Sequence, residues 1–272
     1  MADAPQAGQG GQRQWTLADA DRLVGDAGRA LALAARIYDA AAAQASGGAA
    51  GRLRQNAWRA AQMQAGERWR WFSQAGQDRF LDEQVFRGKR GGVFIDIGAY
   101  DGWTGSNTLF FEINRGWSGL LVEPSPQFAA QARACRRAPL AECAVGGSDG
   151  EAQFLNITAG YTQMSGLAKT YDPGLRAQVE ADSRFHGEML TVSLRRLETL
   201  LAEHGISDID YVSLDVEGGE EAVLASFDFA RFPVRAWTIE NNTQRGAIAQ
   251  AMGAAGYRLV THVGVDEIYV KD

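Results

Sequence analysis

Acidic side chains stand where apolar runs end. Asp96 lies within Val93-Phe94-Ile95-Asp96-Ile97, with Asp101 just beyond. Glu123 closes Leu120-Leu121-Val122, Asp215 and Glu217 follow Tyr211-Val212-Ser213-Leu214, and Glu240-Asn241 closes Ala236-Trp237-Thr238-Ile239. Continuous apolar runs of this kind read as strands buried on both faces. In an open α/β sheet, ligands bind beyond the carboxyl ends of the strands. These side chains should therefore gather on one rim. Carboxylates there can accept hydroxyl hydrogens, hold cations or take protons.

The loop Gly98-Ala99-Tyr100-Asp101-Gly102 follows the first of these runs and leads toward a helix. Its glycines let backbone approach a nucleotide closely. The spacing is not Gly-x-Gly-x-x-Gly, and Asp96 and Asp101 would repel a pyrophosphate at a helix start. S-adenosylmethionine has no phosphate and carries a sulfonium and an ammonium, which carboxylates suit. Glu123 stands where a carboxylate can accept both ribose hydroxyls, although NAD sites use the same device. The other reading is that these residues cap a helix or line a solvated lip. Gln74, Gln77 and Asp78 precede the first strand; they could close over the cofactor or serve local turn chemistry.

Asp215, Glu240 and Asn241 bring three oxygen ligands to neighbouring strand ends, a set that suits Mg²⁺ or another hard divalent cation. Asp215 could instead touch the cofactor while Glu240 remains a solvated acid. Glu217 could be a base or a substrate contact. His262, in a terminal strand, could be a base, but a lone histidine in an apolar strand more often has a structural role. Glu220 and Glu221 favour a helix N-terminus through its dipole.

These residues need elements to hold them. The spacing predicts helices over Thr16–Gln44 and from Gly51 to about Gln64, with Thr16 and Asp19 as a capping start and Ser46-Gly47-Gly48 as a break. Trp69, Trp71 and Phe72 anchor this extension or stack on a sugar. Further helices are expected over about Gly105–Arg115, Gln127–Arg137, Glu220–Ser226 and Arg245–Ala255. A third strand is expected over Leu140–Val145, with added strands at Glu151–Leu155 and Leu190–Leu194. Between these lies a long insertion from Asn156 to Glu188, a candidate lid that selects substrate. Tyr257–Val263 and Glu267–Val270 close as an antiparallel pair. The sum is a doubly wound α/β sheet with an antiparallel edge. Residues 1–14 read as a disordered tail, 15–70 as a helical extension and 71–272 as the main domain.

Ser73-Gln74-Ala75-Gly76-Gln77-Asp78, Phe94 to Gly102, Ser106-Asn107-Thr108, Gly116-Trp117 with Gly119-Leu120, Val122-Glu123-Pro124, Asp215-Val216-Glu217-Gly218 and Ile239-Glu240-Asn241 together resemble the FkbM-type methyltransferase family. The resemblance covers about residues 73–270 and leaves the extension unexplained. It implies a Rossmann-like class I methyltransferase fold, with a mostly parallel seven-stranded sheet and an antiparallel terminal strand. It also implies S-adenosylmethionine and O-methylation of a sugar, glycan or polyketide-type hydroxyl. The cofactor residues it suggests are Gln77, Asp96, Gly98, Ala99, Asp101, Asn107, Glu123 and Asp215, with Cys143 and Ala144 bordering the adenine. Metal-dependent members of the wider class place Asp, Asp and Asn at equivalent strand ends. The candidates for acceptor activation are Asp215, Glu217 and His262.

Composition narrows the field. Net charge is −6, with +3 over residues 1–70 and −9 over the rest, so a nucleic-acid backbone is not the expected partner. No apolar run reaches the ~20 residues of a membrane span. The first residues lack the basic and apolar pattern of a signal peptide. The two cysteines, Cys135 and Cys143, fit neither a zinc nor a disulfide spacing. A cytoplasmic enzyme acting on a small molecule or glycan is the expectation, with the N-terminal helices as a candidate homo-oligomer contact. Two competing readings are an NAD-dependent oxidoreductase or epimerase and a non-catalytic scaffold.

Overall fold

The computed structural model describes residues 16, 29–45, 47–64, 71–242 and 246–271. The expected tail over 1–14, the Asp19 cap, Ser46 and Trp69 lie outside the described residues.

Two helices open the described chain, α1 (Arg29–Ala42) and α2 (Gly47–Gln64). They pack through Ala34, Ile37, Tyr38, Ala57 and Ala60, small and aromatic residues at helical spacing. A short helix α3 (Gln77–Phe80) runs on into a π turn (Leu81–Val85) before β1 (Val93–Ile97). After β1 the helix expected from Gly105 forms only from Leu109, and it widens into a π turn over Phe111–Arg115. The residues between belong to the loop over the site.

The main sheet adds β2 (Ser118–Val122), β3 (Leu140–Ala141), β8 (Ile209–Leu214), β9 (Val234–Glu240), β10 (Arg258–Val263) and β11 (Asp266–Val270). Its order is β10-β11-β9-β8-β1-β2-β3, and only β11 runs antiparallel to its neighbours. This is the expected Rossmann-like, mostly parallel seven-stranded sheet. The alternation along each strand feeds two cores. Ile95, Ile97, Val212, Leu214, Trp237 and Ile239 face one side, while Phe94, Leu121, Tyr211 and Ala236 face the other. Both faces are covered by helices, so the strands read as continuous apolar runs. Helices α4 (Pro126–Cys135), α6 (Leu197–Glu203), α7 (Glu220–Ser226) and α8 (Gly246–Ala254) provide that cover.

The stretch expected as one strand over Leu140–Val145 divides. Leu140 and Ala141 pair with β2, whereas β4 (Ala144–Val145) crosses to a second sheet of order β4-β7-β5-β6. That sheet contains β5 (Gly150–Ala159), β6 (Gly166–Leu167) and β7 (His186–Arg195), with helix α5 (Pro173–Glu180) before β7. The insertion read as a long loop is therefore ordered: the ends of the β5–β7 hairpin bracket it, β6 and α5 lie between them, and Leu155, Ile157, Tyr171 and Val179 form a small core.

Candidate functional site

Register sets the rim. Ile97 pairs with both Val122 and Leu214, and Leu214 with Ile239, so four parallel strands end side by side. The antiparallel β11 starts where β9 stops, pairing Asp266 with Glu240. Gly98 turns the chain at φ +84, and a Cβ there would lie 1.9 Å from the Asp215 carbonyl oxygen. Only glycine lets the loop pass so close to the end of β8.

Two clefts open on this rim. The first encloses about 890 Å³, open mouth included, with the Gly98–Asn107 loop below and the insertion above. Tyr100, itself at φ +50, donates to or accepts from Thr162 Oγ1 at 2.7 Å and joins the two walls. Asp96, Gly98, Ala99, Asn107, Glu123, Cys143, Ala144 and Asp215, all named from sequence, line this cleft, and so does Gln74. Among the described residues, no Lys or Arg lines it.

Glu123 is buried at its inner end. Its Oε2 accepts from Tyr100 N–H and its Oε1 from Ser125 N–H, both at 2.8 Å. Burial pushes its carboxyl up to about 7; the two backbone hydrogen bonds oppose this, and the charges of Asp96 and Asp101 add to it. Asn107 donates from Nδ2 to Ser213 Oγ at 3.0 Å, while its buried Oδ1 has no partner. Burial raises the Cys143 thiol to about 11, so it serves as an apolar wall.

Asp96 belongs to the floor. Its Oδ2 accepts from Thr108 Oγ1 at 2.5 Å and lies 3.7 Å from Arg136 Nη1. Arg136 is fully buried and donates to the Gly102 carbonyl, Ser106 Oγ, Thr108 Oγ1 and Glu112. Sequence reasoning missed this residue, because its partners are scattered over thirty-odd positions and no local pattern announces them.

The second cleft encloses about 1850 Å³ with its open mouth and is lined in part by Tyr171, Glu240 and Asn241. Glu217 lines both clefts. It is buried and held at φ +55, a conformation costly for a side-chain-bearing residue, and its Oε2 has no hydrogen-bond partner. Carboxylate oxygens of Asp215, Glu217 and Glu240 all lie within 4.8 Å of one another. Burial, then the charge of Asp215, raises Glu217 to about 9. Asp215 and Glu240 are also raised, first by burial and then by neighbouring carboxylates. Among the described residues no cation offsets the trio, so burial and mutual repulsion hold these carboxyls toward their protonated forms.

The remaining expected residues have partners of their own. Asp101 accepts from Trp103 N–H, Thr104 N–H and Thr104 Oγ1, so it caps its own turn outside the first cleft's lining. Gln77 donates to Asp266 Oδ2 at 2.9 Å and supports β11 instead of lining the cleft. Asp78 accepts from Phe72 and Ser73, which is local turn chemistry. Asn241 donates from Nδ2 to Glu267 Oε1 at 2.9 Å. The His262 side chain is 60% exposed, lines neither cleft, and sits with Nε2 3.6 Å from Glu267 Oε1. Glu220 accepts from Val216 and Gly218 N–H and fixes the turn that holds Glu217.

Residues 96–259 match the family model described as the methyltransferase FkbM domain. Among solved structures, the chain is similar to a TehB-like SAM-dependent methyltransferase from Corynebacterium glutamicum, at 13% identity and a TM-score of 0.39, covering 79% of this chain and 94% of that one. It is also similar to methyltransferase FkbM from Methylobacillus flagellatus, at 10% identity and a TM-score of 0.44, covering 93% of this chain and 58% of that one. A third likeness is to the Methanococcus jannaschii fibrillarin pre-rRNA processing protein, at 12% identity and a TM-score of 0.33, covering 69% and 70%. No curated protein matches the chain. No described helix is long and apolar enough to cross a membrane.

Proposed function

Since the chain belongs to the methyltransferase FkbM family, and is thereby an S-adenosylmethionine-dependent methyltransferase, we propose that its acceptor atom is a hydroxyl oxygen of a sugar, glycan or polyketide-type small molecule. The observation that carries this reading is Glu217, a strained, unpaired carboxyl in the wall between two clefts. A hydroxyl is a poor nucleophile until its proton is taken or its oxygen's charge is stabilised. Once ionised, a carboxyl facing both cofactor and acceptor spaces suits that task, and the crowding that favours its protonated form makes it the stronger base.

The first cleft fits the cofactor. Bound there, S-adenosylmethionine supplies an electrophilic methyl group on a sulfonium. Glu123 receives the ribose hydroxyls beside the N–H groups of Tyr100 and Ser125. The partnerless Asn107 Oδ1 is an acceptor for the ammonium, and Cys143 with Ala144 forms an apolar wall for the adenine. The absence of Lys and Arg from the lining counts against a pyrophosphate and so against the dinucleotide reading. The acceptor enters from the second cleft, which puts its hydroxyl beside Glu217 and in line with the first cleft.

The trio also fits a divalent cation such as Mg²⁺, held by Asp215, Glu240 and Glu217, with Asn241 beside Glu240 in the second cleft. Hard oxygen ligands suit that ion. It would supply positive charge where negative charge grows on the acceptor oxygen. Calorimetry with S-adenosylhomocysteine and with NAD, side by side, tests the cofactor site: the first should bind and the second should not. Turnover with a panel of hydroxylated acceptors should stop in EDTA and return with Mg²⁺ or Mn²⁺. Full turnover in chelator would leave Glu217 alone to take the proton.

A further inference from the structure

The family match begins at Asp96, so it assigns nothing to the helices before it. The α2 helix nevertheless reaches the cofactor loop by three routes. Gln55 Nε2 donates to Glu112 Oε1 and to the Cys135 carbonyl, each at 2.7 Å. Glu112 Oε2 accepts from Arg136 Nε at 3.2 Å. Arg136 in turn donates to the Gly102 carbonyl at 3.1 Å, Ser106 Oγ at 3.2 Å and Thr108 Oγ1 at 2.8 Å. From Gln55 to the loop that floors the cofactor cleft there are thus two intervening side chains. All of these side chains are nearly or wholly buried, with Gln55 at 2%, Glu112 at 1% and Arg136 at 0% exposure. The second route is aromatic: the Trp58 ring lies 5.9 Å from Trp103, in the loop itself, and 4.9 Å from Phe72. The third is steric. At Gly51 a Cβ would come within 2.7 Å of the Cys135 carbonyl carbon, so α2 lies directly on the end of α4 where Arg136 begins.

We propose that α2 is a working part of the cofactor site: Gln55, acting through Glu112 and Arg136, is a positioning residue that sets the shape of the Gly98–Asn107 loop. A buried amide that satisfies a carboxylate fixes where that carboxylate sits. The carboxylate then fixes the guanidinium, whose planar fork has few other ways to meet Gly102, Ser106 and Thr108 together. Loosening the first member lets the loop sample shapes that do not match the cofactor, and binding must then select among them. By linkage the effect runs both ways, so cofactor binding should tighten α2.

The proposal rests on the reading that the cofactor occupies the first cleft, and the test separates the two. The probe is S-adenosylhomocysteine, titrated into the full-length protein by calorimetry well below the melting temperature. Wild type should bind; if it does not, the cofactor reading fails. Gln55→Leu should then bind about fivefold or more weakly while remaining folded by circular dichroism. Arg36→Ala, an exposed position on α1 outside all three routes, should bind like wild type. In hydrogen exchange, the probe should slow α2 amides in wild type and not in Gln55→Leu. A merely structural Gln55 would lower the melting temperature and leave both affinity and exchange response unchanged, which overturns the proposal. If Gln55→Leu does not fold, Trp58→Phe serves in its place, with the same two readouts and the same opposed outcomes.

Discussion

Two buried clusters of charge lie beside the first cleft, and they are built on opposite principles. Around Arg136 the carboxylates have a cation, although burial still holds Asp96 above its ordinary range. Burial works against Glu112, yet Arg136, the Arg137 N–H and Gln55 outweigh it and hold this carboxyl below the usual range. Around Glu217 nothing matches. Asp215, Glu217 and Glu240 crowd within 4.8 Å, and burial with mutual repulsion raises all three. A charge taken from water is costly unless it is paired. The first cluster meets that cost and gives the loop its shape. The second leaves it unmet on the wall that both clefts share, which is where strain and perturbed acids accumulate in functional sites.

The comparison breaks hardest at Arg136. Arg136→Met removes the cation and leaves Glu112 and Asp96 buried together. Unfolding free energy in urea should fall by about 3–5 kcal/mol. A loss below about 1 kcal/mol, the level of a surface ion pair, would mean that the matched cluster contributes little.

At Glu217 the sign reverses. A carboxyl raised to about 9 in the fold and ordinary when unfolded keeps its proton in the native state. Its contribution to stability is complete below about pH 4.5 and is lost as pH rises toward 9. Glu217→Gln mimics the protonated form and does not pay this cost. Without added divalent cation it should be more stable than wild type by about 1–3 kcal/mol at neutral pH. The difference should shrink on acidification, while turnover is lost. Equal stability at every pH would show that Glu217 is better satisfied than its geometry indicates.

Glu123 stands between the two cases, with two backbone donors but no counter-charge. Ribose hydroxyls donate to the ionised carboxyl, and that form becomes dominant only above about 7. Affinity for S-adenosylhomocysteine should therefore rise between pH 6 and pH 8. Glu123→Gln should weaken binding by about 1.5–3 kcal/mol and flatten this dependence. An unchanged pH profile in that variant would take Glu123 out of the ribose site.

How much of this could be read from the chain depended on distance along it. β1, β2, β8 and β9 are apolar runs with an acid at or near each end, so their rim was legible before any coordinates. The third strand was misread because Glu142 and Cys143 carry the chain from one sheet to another, and hydropathy does not record a change of partner. The end of β5 read as loop because Asn156 and Thr158 interrupt its apolar pattern. Within the site, Glu123 and Asp215 were visible as strand-end acids. Arg136 was not, since one arginine at a helix end looks solvated until residues 55, 102, 108 and 112 are folded around it.

The smallest expected effect concerns His262, which was a candidate base only because it stood in a terminal strand with few other histidines to consider. Its side chain is mostly exposed, and its contact is Nε2 3.6 Å from Glu267 Oε1. Glu267 does not depend on it. Asn241 Nδ2 donates to the same oxygen at 2.9 Å, and the Tyr269 hydroxyl donates to the other. His262→Ala therefore orphans no buried group. Stability should stay within about 0.5 kcal/mol of wild type, as for an ordinary surface substitution. Turnover should change little across pH 6–8, because neither cleft includes this side chain. The informative contrast is with Asn241→Ala, which takes a hydrogen bond from buried Glu267 and should cost about 1–3 kcal/mol. If His262→Ala instead cut kcat tenfold, the acceptor would have to approach from the β10 edge. The unpaired cluster at Glu217 would then need another explanation.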